Sequence, residues 1–222
     1  LRELKNQRIV FVWQSWQQDD PAEWGIYGRV FNSEGVAMTN EFHINSEPYL
    51  DQSLPQIDTL IDGGFVAVWQ SSHSGLGYDI YARVFNADGS ARYNMIETRV
   101  NPIIAGDQRF PAVAVLNNQS IVICWTASDP DGLGIYARIF DTELTPLSDE
   151  FRVNVDTVGT QHYPHVASMD DGGYFVIWNS QAVKIVGRIF SPNAAISSSE
   201  IALATDAILD ARICRLKDGK IV

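Results

Sequence analysis

Cysteine is scarce in this chain, with two in 222 residues. Cys124 and Cys214 are too few for a zinc site or a disulfide framework, and they fall in different parts of the chain. Each sits in an apolar strand pattern and reads as a small buried hydrophobe. Long apolar runs are also missing. The longest are five residues, such as Phe65 to Trp69 and Ile121 to Trp125. A spanning helix needs about 20, so no membrane span is expected, and runs this short suit strands. Positive charge is in short supply: 16 Lys and Arg face 27 Asp and Glu, a net charge of −11. Such a surface repels phosphate backbones, so no nucleic acid is expected as partner. Acidity also accords with calcium, with extracellular settings and with plain solubility. No segment has helical periodicity, and none is polar enough to read as disordered.

Chemical motifs are absent as well. There is no GxSxG elbow, no HExxH and no S-x-D-x-G-x-x-W box. The histidines, His43, His73, His162 and His165, have no zinc-ligand spacing. Nothing contiguous sets a nucleophile, so the chain reads as no enzyme and without a cofactor. A glycosidase whose two acids lie far apart in sequence is the lesser reading.

What the chain has is a repeat. Trp13, Trp69, Trp125 and Trp178 each close an apolar run: IVFVW, FVAVW, IVICW, YFVIW. A second marker follows each: GRVF at 28–31, ARVF at 82–85, ARIF at 137–140, GRIF at 187–190. A third is an acid before a short strand, Glu41, Glu97, Glu150 and Glu200. In three units that strand ends in Asn45, Asn101 or Asn154, followed by Gln52, Gln108 or Gln161 and then Pro55, Pro111 or Pro164. Each Gln stands 17 residues before its Trp.

Four strands fit each unit. In the second they are 55–60, 64–70, 79–86 and 96–101. Asp62-Gly63-Gly64, Asn117-Asn118 and Asp171-Gly172-Gly173 supply tight turns, since these residues tolerate positive φ. Strand two is apolar on both faces: Ile9, Phe11 and Trp13 point one way, Val10 and Val12 the other. Both faces must therefore be covered. Radial stacking of the sheets does this, so the fold class is all-β, a β-propeller of four-stranded antiparallel blades. A linear stack of four-stranded sheets is the alternative. The blades fall at about 1–46, 55–102, 111–155 and 164–205, with the start of another at 211–222. The chain opens on Leu1 and stops at Val222 in mid-pattern, which reads as a segment of something longer.

The strings W-Q-S, G-x-x-I-Y-A-R-V-F, E-F-x-V-N and Q-x-x-P-x-V-A resemble tandem repeats of large secreted and cell-surface microbial proteins. They stand here at Trp13 to Ser15, Trp69 to Ser71, Ile80 to Phe85, Ile135 to Phe140 and Phe151 to Asn154. The resemblance implies an extracellular or cell-surface setting, a propeller-like fold and a role in adhesion or surface structure. It is a fold signature and transfers no catalytic residue. The fourth unit departs from it, with Ala204 in place of the Asn.

Several residues are candidates for more than packing. Arg29, Arg83, Arg138 and Arg188 recur with Glu41, Glu97, Glu150 and Glu200, and read as one ion pair per blade between adjacent strands. Asp129 and Asp131 precede a glycine with the spacing that opens a calcium loop, although later ligands are missing. An ordinary solvated loop is the other reading. Trp16 and Trp24 lie outside the repeat and flank an acidic loop, as glycan-stacking or partner-anchoring residues would. Asn118 heads the single N-x-S/T sequon, on a hairpin tip, and is the glycosylation candidate. Together these readings give a non-catalytic structural or adhesive repeat protein, self-associating into a fibre or array. A carbohydrate-binding propeller is the alternative.

Overall fold

The computed structural model describes all residues except 19–22, 48–50, 73–76, 95, 104, 130–131, 182–183, 196–197, 206–210, 217–219 and 222. The fold is all-β, with two three-residue 3-10 turns, Lys5–Gln7 and Arg92–Asn94, among the described residues. Each sequence unit forms four antiparallel strands. Unit 1 holds β1 (Arg2–Glu3), β2 (Ile9–Trp16), β3 (Trp24–Phe31) and β4 (Phe42–His43). Unit 2 holds β5 (Gln52–Thr59), β6 (Phe65–Ser71), β7 (Asp79–Phe85) and β8 (Thr98–Arg99). Unit 3 holds β9 (Gln108–Val115), β10 (Ile121–Asp129), β11 (Gly132–Phe140) and β12 (Phe151–Arg152). Unit 4 holds β13 (Gly159–Ser168), β14 (Tyr174–Ser180), β15 (Lys184–Phe190) and β16 (Ile201–Ala204). A short parallel contact, Gly132 with Gly159 and Leu133 with Thr160, joins units 3 and 4, so the hydrogen bonds trace three sheets rather than four.

The double-sided strand two finds its cover between units. Val10, Ile26, Val30 and Ile44 of unit 1 pack on Phe65, Ala67, Trp69 and Phe85 of unit 2. The next two interfaces repeat the pattern around Trp125 and Trp178. All three tryptophans are sealed from solvent. Burying such a side chain contributes about 3 kcal/mol, and its removal costs more through the cavity left behind.

The polar markers have defined work. Asn45, Asn101 and Asn154 each accept, through Oδ1, the backbone N–H of Ile26, Ile80 and Ile135 at 2.8 Å. Gln108 and Gln161 accept the indole N–H of Trp125 and Trp178 at 3.0 Å. A buried indole N–H left unpaired would cost about 1–3 kcal/mol, which accounts for the Gln-to-Trp spacing in units 3 and 4; in unit 2 Gln52 Oε1 instead accepts from Asn45 Nδ2 at 3.1 Å.

The recurrent Arg and Glu turn to the preceding unit. Arg83, Arg138 and Arg188 donate from Nη1 to the carbonyls of Ile44, Val100 and Val153 at 3.2, 3.2 and 2.9 Å. Glu97 accepts from Ser46 N and Oγ at 2.8 and 3.1 Å, and Glu200 accepts from Val155 N. Arg and Glu of one unit still attract each other: Arg138 opposes the burial that raises the Glu150 carboxyl, and Glu97 opposes the burial that lowers Arg83. The arginine Nη1 and the glutamate carboxylates nonetheless bond the chain just past the fourth strand of the unit before. Of the two cysteines, Cys124 is buried, and burial pushes its thiol pKa well up, whereas Cys214 is exposed, against expectation.

Candidate functional site at the mouth of the first strands

The first strands of the units surround one space. A cavity of about 490 Å³ is lined by Arg2, Asp58, Val115, Ala167 and Cys214, one residue from each first strand and one from the segment at 213–216. Within it Arg2 Nε meets Asp58 Oδ1 at 3.1 Å, and Val115 N donates to Asp58 Oδ2 at 2.8 Å. Two residues back along the same strands, a second cavity of about 370 Å³ opens to solvent. Its wall is Leu54, Gln56, Phe110, Pro111, Tyr163, Pro164, His165 and Arg212.

This mouth is made by a repeated distortion. Leu54, Phe110 and Tyr163 take φ of 55°, 57° and 55°, each just before the repeat proline. The ladder of each strand to its neighbour breaks register there: between Ser53 and Gln56, between Arg109 and Ala112, and between His162 and His165. Positive φ is costly for side chains of this bulk, on the order of 1–2 kcal/mol each. Three bulges in one place make a built feature.

What holds two of them comes from the unit before. Gln14 Oε1 accepts the N–H of Leu54 at 2.8 Å, and Gln70 Oε1 that of Phe110 at 3.1 Å. The bulge turns the side chain toward the mouth. Phe110 and Tyr163 meet edge to face, centroids 4.4 Å apart, and His162 packs on Tyr163 at 4.5 Å. Tyr163 stays 42% exposed. Burial lowers the pKa of His162 and so favours its neutral form.

The sequence candidates are spread over the molecule, and none of Trp16, Trp24, Asp129 and Asn118 lines the two cavities. Trp16 and Trp24 are a cross-strand pair with ring centroids 5.2 Å apart, and Trp16 is exposed. They stand at the mouth end of unit 1, two residues beyond the Gln14 that holds Leu54. Trp24 N donates to Asp51 Oδ1 at 3.3 Å. Asp129 is bonded to Arg152, and Asp131 lies outside the described residues. No group of three or more potential metal ligands occurs among the described residues. Asn118 sits at the opposite end, on an exposed hairpin tip, where its Oδ1 accepts from Ser120 N at 3.0 Å. Arg29 bonds the carbonyl of Thr39, and Glu41 accepts from Gln18.

The mouth residues went unread in the sequence. Leu54, Phe110 and Tyr163 occupy the second x of Q-x-x-P, where the repeat varies. The available signal was a large apolar residue directly before each repeat proline.

No family model and no curated protein matches the chain by sequence. Solved structures do match in fold. A protein of unknown function from Dyadobacter fermentans superposes with a TM-score of 0.71 at 13% identity, over 99% of this chain and 71% of that one. The GH93 α-L-arabinofuranosidase of Fusarium graminearum, in complex with arabinobiose, gives 0.66 at 9%, over 95% and 64%. The α-L-arabinofuranosidase of Lactobacillus brevis gives 0.55 at 12%, over 99% and 79%. Identity this low shows the fold alone. It corrects two expectations, a non-catalytic structural or adhesive protein and no enzyme, because structures of this fold include glycoside hydrolases. The physical reason is that a site assembled from the first strands of separate units leaves no contiguous motif. Absence of a motif therefore says nothing against catalysis.

Proposed function

We propose that the four units are blades of a β-propeller and that the chain is a carbohydrate-active protein taking a sugar at the mouth of its first strands. The aromatic pair Phe110–Tyr163, at two of the three bulges, carries this reading. A sugar ring offers a C–H face, and aromatic faces attract such electropositive edges while excluding water. Its hydroxyls need a few fixed polar partners. Gln56, His165, Arg212 and the Tyr163 hydroxyl stand in the same wall. The exposed Trp16, with half-buried Trp24 beside it at the same end, would extend the surface along a longer glycan. The reading is supported by the glycoside hydrolases among proteins of like fold. It is compatible with an extracellular or cell-surface setting.

The usual glycosidase needs two carboxyl groups about 5–9.5 Å apart. Asp58 is the carboxylate among the lining residues of the two cavities, and it is paired with Arg2. The role assigned to the described mouth is therefore recognition of the glycan. The test is calorimetric titration with arabino- and galacto-oligosaccharides, the sugars that proteins of like fold are named for, alongside a reducing-sugar assay. Saturable binding that Tyr163→Ala weakens tenfold or more is the expected result. Failure of the folded chain to bind any of them, or binding indifferent to Tyr163→Ala and Phe110→Ala, would sink the reading.

A further inference from the structure

The second cavity differs in charge from the molecule around it. The chain carries 27 Asp and Glu against 16 Lys and Arg. Among the described residues that line this cavity there are an arginine, Arg212, and a histidine, His165, and no carboxylate. Asp58, two residues along the strand from Gln56, belongs to the first cavity, where Arg2 Nε holds it at 3.1 Å and Val115 N at 2.8 Å. Arg109, next to Phe110, does not line the second cavity; it pairs with Asp107 at 3.0 Å and lies over the Tyr78 ring.

The repeat builds the polar side of this wall. His165 directly follows Pro164, as Gln56 follows Pro55. At both positions the strand has passed its bulge and rejoins its ladder, Gln56 opposite Val68 and His165 opposite Ile177. Arg212 comes from the segment at 211–222 and is exposed. Tyr163 and Phe110 line the same cavity, so apolar rings and a cation share one wall.

A neutral sugar gains little from a guanidinium's charge, whereas a hexuronate gains much. Its carboxylate projects from the rim of the ring, so a ring lying on the aromatic pair presents that charge sideways. A guanidinium offers five N–H donors in a planar fork that fits a carboxylate bidentately, with donors to spare for a partner of its own. Gln56 and the Tyr163 hydroxyl can serve the remaining oxygens. The net charge of −11 opposes an anion at a distance, but screening confines that effect to about 8 Å at physiological salt. The wall acts in contact.

We infer that the mouth takes an acidic sugar, a hexuronate whose carboxylate is received by Arg212 while its ring lies on Phe110 and Tyr163. The inference rests on the reading of the mouth as a sugar site and narrows its ligand.

Calorimetric titration of the 222-residue chain with oligogalacturonates and oligoglucuronates, each beside its own methyl ester, tests the inference. The ester keeps the ring and the linkage and removes the charge. At least one acid is expected to bind about tenfold or more tighter than its ester, the worth of a charge-assisted hydrogen bond. Arg212→Gln should bring acid and ester to the same affinity. Arg212→Lys keeps the charge but loses the fork, and should retain part of the difference. Both variants should keep the wild-type far-ultraviolet spectrum, because Arg212 is on the surface. Acids that bind no tighter than their esters overturn the inference, as does a preference that Arg212→Gln leaves intact. Neutral arabino- or galacto-oligosaccharides that bind where neither acid does would overturn it and leave the sugar site standing. A folded chain that binds no sugar of either kind removes both.

Discussion

The two ends of each first hairpin are made of opposite materials. At the turn end, positive φ falls on Gly63, Gly172 and Gln119, and the turns close on themselves. Asp62, Asn118 and Asp171 accept the N–H two residues on at 2.9–3.0 Å. At the mouth end, positive φ falls on Leu, Phe and Tyr, and glutamines of the neighbouring unit hold two of the three bulges. The first end is stable by local chemistry. The second is strained locally and stable only because the assembly imposes it. Strain of this kind collects at working surfaces, where surrounding structure over-determines an unfavourable backbone.

The largest expected effect comes from the core that both ends share. Trp125→Ala should cost about 3–5 kcal/mol in denaturant unfolding and abolish glycan binding. Such a loss would show that the mouth is an outcome of unit packing; retained binding would make it a local structure.

Next is Gln108→Leu, which leaves the buried Trp125 N–H unpaired. A loss of about 1–3 kcal/mol is expected by the same measurement, with weakened binding through the neighbouring Phe110 bulge.

A smaller pair of changes contrasts the ends directly. Gly63→Ala puts a methyl group at φ +100°, with Lys5 Cβ 3.2 Å away, and should cost about 1–2 kcal/mol. Leu54→Gly relieves φ 55° while giving up a partly exposed side chain, and should stay within about 1 kcal/mol of neutral. Equal losses at the two sites would erase the distinction.

The smallest effect is in pH. Burial lowers the folded pKa of His162, so the unfolded chain binds its proton first. Stability therefore falls as pH drops below the ordinary histidine value, about 6.5. At the turn end, the Arg92 guanidinium holds the carboxyl of Asp62 below the usual range. That contribution is present above about pH 4 and is lost as pH falls through the lowered folded value. Because Asp62 is exposed, it is small, below about 1 kcal/mol. Thermal melts should show the upper window vanish in His162→Gln and the lower one in Asp62→Asn.

The fold was legible because its markers are local and repeated. Strands, turns and the double-sided strand two follow from alternation and from Asp-Gly chemistry. The Asn and Gln markers were visible as spacing, but their partners lie a strand or more away. The Arg–Glu pairs were read within one unit because strand pattern fixes neighbours in a sheet and not contacts between sheets. The mouth was illegible for a related reason. Its residues come from three units and differ in kind, and their shared property is a backbone angle. The functional expectation failed with it, since it rested on contiguous motifs.

Gln14 and Gln70 grip the main chain of the Leu54 and Phe110 bulges rather than their side chains. That division of labour makes the position an exchangeable fitting, which Leu, Phe and Tyr have each filled here. New ligand preferences can then arise by single substitutions that leave the scaffold untouched, one unit at a time.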